Sequence, residues 1–144
     1  MITVAKAIAA GVPMGATLLT EKIKVEPGMH GTTFGGNPIA CAASLATLDV
    51  LVDENLSQRA EENGAYFEAQ LLTKELSQIR TVRRLGLMIG IELKGKVQPV
   101  LEVLMEAGVI ALPAGATVLR LLPPLVIEKQ QLDAVVAQLH ELLK

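Results

Sequence analysis

Residues 85–94 read Leu-Gly-Leu-Met-Ile-Gly-Ile-Glu-Leu-Lys. Leu85, Leu87, Ile89, Ile91 and Leu93 alternate with Gly86, Met88, Gly90, Glu92 and Lys94. In extended chain, alternate residues point to the same side. From Arg80 onward the pattern therefore predicts a strand with one apolar face. Its two glycines predict a bulge or a close backbone approach. Toward the C-terminus, Val97 to Ala107 reads as a short helix stopped by Gly108. Short strands at Val109 to Leu112 and Thr117 to Leu122 flank Pro113-Ala114-Gly115, and Pro123-Pro124 ends the second. Leu132, Val135, Val136, Leu139, Leu142 and Leu143 recur at helical spacing and predict a closing helix. Residues 79–144 thus read as a small α+β domain.

Toward the N-terminus the chain is helical. Asn37-Pro38 starts a helix, since Asn caps and Pro is tolerated in the first turn. Ile39 to Val52 is apolar or small nearly all round, which predicts a buried helix. A second, amphipathic helix follows from Leu56 to Ser77, with Leu56, Ala60, Phe67, Leu71 and Leu72 inward. Residues 37–78 are the connector helices of this reading. Residues 1–36 hold a short apolar segment (Ile2 to Ile8), a Gly11-Val12-Pro13 turn, a strand (Ala16 to Leu19) and a loop from Gly28 to Gly36. That is too little to close a core. Met1 runs straight into apolar sequence without a cap or turn, which predicts the end of a larger domain.

The 144 residues are 51% hydrophobic and 19% charged, so the chain is not disordered. A net charge of −2 offers nothing to neutralise a run of phosphates, so nucleic acid and membrane surfaces are not expected partners. Phe34, Tyr66 and Phe67 are the only aromatics, too few for base stacking. One cysteine, Cys41, and two histidines, His30 and His140, make neither a disulfide nor a zinc site. No metal site is expected, and the cysteine usage fits a cytoplasmic location. Gly11, Pro13 and Gly15 interrupt the Ala-rich N-terminal run, so a signal peptide is not expected.

Three features carry chemistry. Lys6 stands alone among Val4, Ala5, Ala7 and Ile8. A desolvated lysine has its pKa lowered and its amine freed for a Schiff base; the alternative is an exposed lysine at a strand end. The loop Gly31-Thr32-Thr33-Phe34-Gly35-Gly36-Asn37-Pro38 joins backbone amides and two hydroxyls to a helix N-terminus. That suits a phosphate or carboxylate, or simply a tight turn feeding a capped helix. Arg120 shares a strand face with Val118 and Leu122. Inside an apolar strand it needs a partner, either a ligand carboxylate or a structural acid such as Glu92. Arg83 and Arg84 read as a solvated strand end, Cys41 as buried packing, and His140 as solvated.

Together these segments resemble one family. Ile2-Thr3-Val4-Ala5-Lys6-Ala7 with Gly11-Val12-Pro13-Met14-Gly15-Ala16 is similar to the cofactor-lysine segment of class III pyridoxal-phosphate aminotransferases. His30 to Pro38 resembles the phosphate loop of their acetylornithine aminotransferase branch. Arg83 with Gly86-Leu87-Met88-Ile89-Gly90, and Leu119-Arg120-Leu121-Leu122-Pro123-Pro124, resemble that branch's C-terminal domain. The resemblance implies an α/β fold, the C-terminal part of a fold-type I pyridoxal-phosphate-dependent transferase. It would comprise the end of the large domain, connector helices and a small α+β domain.

The resemblance also implies roles. Lys6 would bind pyridoxal 5′-phosphate and shuttle a proton at the substrate α-carbon. Thr33 would bind the cofactor phosphate across a homodimer interface, Thr32 would touch substrate, and Arg120 would hold the α-carboxylate. The reaction would move an amino group between N-acetylornithine and 2-oxoglutarate in arginine biosynthesis, with succinylornithine, ornithine or 4-aminobutyrate as alternative donors. Ala9, Ala10 and Arg84 stand where the family often has glycine. The family's longer members carry the carboxylate opposite the cofactor's ring nitrogen, the stacking aromatic, the main phosphate turn and a further arginine upstream of this region. This chain alone is therefore expected to be inactive. It would be completed by the missing part, serve as an interaction module for a full-length aminotransferase, or have no function.

Overall fold

The alternation at 85–93 belongs to a hairpin rather than to one strand. In the computed structural model, which describes residues 1–144, β3 spans Ile79–Leu85 and β4 spans Met88–Leu93. Gly86 takes a left-handed backbone, φ 54°, in the two-residue turn between them. The expected single strand is thus corrected. The letters keep alternating, but the two-residue turn reverses the faces: Leu85 pairs with Met88 and both are exposed, while Leu87, Ile89 and Ile91 are buried.

The chain forms two compact units, Met1–Asn55 and Leu56–Lys144. The first holds β1 (Ile2–Val4), a 3-10 turn (Lys6–Ala9), β2 (Ala16–Leu18) and α1 (Pro38–Asp53). β1 and β2 pair antiparallel, Thr3 opposite Thr17. α1 packs on the 3-10 turn, and Ala9, Ala40 and Ser44 are the buried residues of these elements. Small side chains let the backbones approach. The expected burial of the whole helix is not found: Ile39 is 74% exposed and Val52 76%. Cys41 is half-buried. The helix is apolar all round, but its buried residues lie on one side only.

The second unit is a four-stranded antiparallel sheet, in the order β3-β4-β6-β5, with helices against it. β5 is Leu112–Pro113 and β6 is Val118–Leu121; α2 is Leu56–Leu71, α3 Gln98–Glu106 and α4 Lys129–Leu142. Ile89, Ile91, Leu119 and Leu121 join Phe67, Leu71, Leu104, Leu132 and Leu139 in one core. Burying a side chain of this size contributes about 1.5–3 kcal/mol. α2 ends at Leu71, earlier than its pattern predicts, and Leu72 is exposed rather than inward. His140, expected to be solvated, is buried, and its Nε2–H donates to the Leu71 carbonyl over 2.9 Å. The ring thereby satisfies a carbonyl that the end of α2 leaves open.

The helix–hairpin contact is tight. A Cβ on Gly64 would overlap the carbonyl oxygen of Gly86. Beside it, Glu61 accepts from Arg84 Nη1 over 2.7 Å and from the Gly86 amide over 3.2 Å. Arg84 Nε donates to Glu68 over 2.8 Å. Arg84 is therefore no solvated strand end: its side chain is 18% exposed and ties β3 to α2. Further along, Asn63 Nδ2 donates to the Ile127 carbonyl and Tyr66 to Asp133, joining α2 to the start of α4.

Two outcomes test this seam. Gly64→Ala should destabilise the second unit by about 3 kcal/mol in urea unfolding, because backbone, not a flexible side chain, must move. The hydrogen bond from Arg84 holds the Glu61 carboxyl below its usual value of 4.5. Its contribution is complete above that value and is lost as the pH falls through the lowered folded-state value. The thermal midpoint of the wild type should therefore drop on acidification more steeply than that of Glu61→Gln.

Candidate active site

The proposed site residues fall in both units. Lys6 opens the 3-10 turn directly after β1, with φ 64°. An L-residue carrying a Cβ holds that left-handed conformation at a cost of roughly 1–2 kcal/mol. Ala10, which closes the same turn at φ 48°, is also left-handed. Strain at both ends of a four-residue turn is a local cost that packing against α1 offsets, and such outliers cluster where function needs a fixed side-chain direction. The flanking apolar residues do not enclose Lys6, which is exposed. No feature of the sequence signals its backbone conformation.

Thr32 and Thr33 lie in the exposed loop that feeds α1. A Cβ at Gly35 would overlap the Thr32 methyl group, and Gly36 has φ 69°. Any larger residue at 35 would thus require the exposed Thr32 side chain to turn aside. Asn37 caps the helix, its Oδ1 accepting from the Ala40 amide over 3.0 Å. Its Nδ2 donates to the Phe34 carbonyl over 2.9 Å, which pins the loop to the helix end. Because α1 packs on the turn that begins at Lys6, the lysine and the threonine loop stand on neighbouring elements of one unit.

Arg120 belongs to the second unit. In β6 it sits opposite Gly90 of β4 and Leu112 of β5. Its Nε is buried without a hydrogen-bond partner. The alternative of an ion pair with Glu92 is corrected: Glu92 binds Arg80 Nη1 over 3.3 Å and Arg83 Nη1 over 3.0 Å. A buried guanidinium N–H without an acceptor is costly, and a planar carboxylate is the group that fits it. A cavity of about 390 Å³ elsewhere in this unit is lined by Phe67, Ile89, Leu121, Pro123 and Ile127 among other apolar residues, and none of the candidate site residues borders it. No group of His, Cys, Asp and Glu is placed to hold a metal ion, and no helix is long and apolar enough to cross a membrane.

This combination defines an α/β chain with a strained lysine, a glycine–threonine loop at a helix start and an unpartnered arginine on a sheet. The aminotransferase class-III family profile matches residues 1–143. The chain belongs to the class-III aminotransferases, a family that uses pyridoxal phosphate. It is 46% identical over 138 residues to an acetylornithine aminotransferase of Methanothermobacter thermautotrophicus, covering 93% of this chain and 35% of that one. It is 44% identical to a [LysW]-aminoadipate semialdehyde transaminase of Deinococcus radiodurans, covering 99% of this chain and 34% of the relative. The structure of the ornithine aminotransferase from Toxoplasma gondii superimposes with a TM-score of 0.87 at 34% identity, over 96% of this chain and 35% of that one. The chain therefore spans about a third of the length of these relatives.

The backbone at position 6 gives a test independent of catalysis. Glycine adopts φ near 64° without a Cβ penalty. Lys6→Gly should be more stable than Lys6→Ala by about 1 kcal/mol in urea unfolding of the first unit. Equal stabilities would mean that the strain is not held in solution.

Proposed function

We propose that this chain supplies part of the site of a pyridoxal-phosphate-dependent aminotransferase that moves an amino group between N-acetylornithine and 2-oxoglutarate. The observation that carries this reading is the buried Arg120 Nε with no acceptor, on a sheet whose one acid is engaged elsewhere. The 46% identity to an acetylornithine enzyme favours that donor over ornithine.

The residues fit the cofactor in part. The Lys6 amine would hold its aldehyde carbon, and the Thr33 hydroxyl would take its phosphate. When bound, the cofactor supplies an electron sink. Lys6 would then take a proton from the carbon that bears the transferred amino group and return one, acting as general base and acid. Arg120 would grip the α-carboxylate through two parallel N–H donors, which orients the substrate. Thr32 would bound the substrate next to the phosphate loop. In the intact enzyme these groups would serve a homodimer in the cytoplasm. On its own, this third of the relatives' length is expected to give negligible transamination.

A second reading is favoured by α1, whose Ile39, Leu45 and Val52 are exposed. An apolar helix of that kind is a surface for a full-length aminotransferase subunit. A monomer in size-exclusion chromatography that ignores such a subunit would sink this reading.

The main test is borohydride trapping after adding pyridoxal 5′-phosphate, followed by peptide mapping. Labelling confined to Lys6, and lost in Lys6→Ala, is the expected result. Labelling scattered over several lysines would refute the cofactor role.

A further inference from the structure

We infer that Arg80 and Arg83 are positioning residues that occupy Glu92 and so keep Arg120 free for a carboxylate ligand. This inference rests on the reading of Arg120 as the carboxylate-binding arginine. The register shows the problem that the two arginines solve. Arg83 pairs with Gly90, and Gly90 pairs with Arg120; one row on, Thr81 pairs with Glu92, and Glu92 with Val118. Paired residues share a face, so Arg83, Glu92 and Arg120 all stand on the sheet face away from Ile89 and Ile91. Glu92 and Arg120 are diagonal neighbours on adjacent strands, a separation that long side chains bridge. Gly90, between Arg83 and Arg120, has no side chain to keep them apart.

Left alone, Glu92 would be the nearest acid to a guanidinium that has a buried, unpartnered N–H. It is instead drawn toward β3. Its Oε1 takes Arg80 and its Oε2 takes Arg83, so both carboxylate oxygens are engaged on the side away from β6. The backbone is arranged for this. Residues 80 and 83 are an odd number apart and would face opposite sides of a regular strand. The register shifts between Ile79 and Thr81, a bulge at Arg80. The extra residue returns Arg80 to the face of Arg83. Both arginine side chains are 62% exposed and Glu92 is 20% exposed. Two exposed cations thus hold one more sheltered anion. Exposed pairs of this type add little to stability, so positioning is the role left to them.

The test reads the Arg120 Nε–H signal directly, by proton–nitrogen NMR of the whole chain, assigned through its loss in Arg120→Lys. Without ligand, the Arg80→Gln/Arg83→Gln variant should move that signal downfield, as Glu92 turns to Arg120. Adding Glu92→Gln should return it to the wild-type position. Glutarate, as a simple dicarboxylate probe, should shift the wild-type signal and bind the double variant about fivefold more weakly, with recovery in the triple variant. A signal unmoved in the double variant, or still moved in the triple, would overturn the inference. Backbone amide spectra identify any variant that fails to fold, and Arg83→Gln alone, with half the expected shift, then replaces the double variant. If glutarate leaves the wild-type signal in place while the ligand-free shifts occur as described, the clamp stands and the ligand reading of Arg120 fails.

Discussion

The second unit depends on how closely α2 can approach the β3–β4 turn. Gly64 leaves the space that the Gly86 carbonyl fills, and Gly86 supplies the backbone turn that puts the carbonyl there. Glu61 and Arg84 then bind across the same seam. This anchors one end of the hairpin, and the pairing of β4 with β6 follows from that position. Ile89, Ile91, Leu119 and Leu121 turn to the core, and Gly90, Glu92 and Arg120 turn to the other face. A fixed register has this consequence in any sheet with one buried side, since a slip of one residue exchanges the two faces.

Much of this was legible in the sequence, because apolar periodicity reports burial wherever a segment packs within its own unit. The closing helix followed its pattern to within a few residues. The hairpin is hidden because Leu85 and Leu87 continue the letters of the β4 pattern, although only Leu87 of the two is buried. Long-range polar contacts left no trace in the pattern either. His140 meets Leu71 across 69 positions, and Arg84 meets Glu61 across 23. Such pairings depend on which elements become neighbours, and no local spacing encodes that. α1 departs from its pattern for a related reason: an apolar helix states that it can be buried, not where its cover comes from.

The site residues divide along the same line. Residue type and spacing singled out Lys6, Thr32, Thr33 and Arg120, as chemistry out of place among apolar neighbours or glycines. Their physical state emerged only in three dimensions. Lys6 is held at positive φ, Thr32 and Thr33 stand exposed in a loop pinned to a helix cap, and Arg120 keeps a buried donor without an acceptor. Lys6 and Arg120 are local departures from the lowest-energy arrangement, offset by the packing around them.

The bulge at Arg80 has a meaning beyond the contacts it makes. A strand assigns every side chain one of two directions, and substitution cannot change which one a position receives. Only a change in the count of residues can. The charge pattern on this sheet face is therefore governed by chain length between Ile79 and Thr81 as much as by residue identity. Among related chains, a gap of one residue there would remove the bulge, and with it the second arginine of this face, while leaving every letter around it intact. Divergence at this place would be written in indels, and comparisons that count only identities would pass over it.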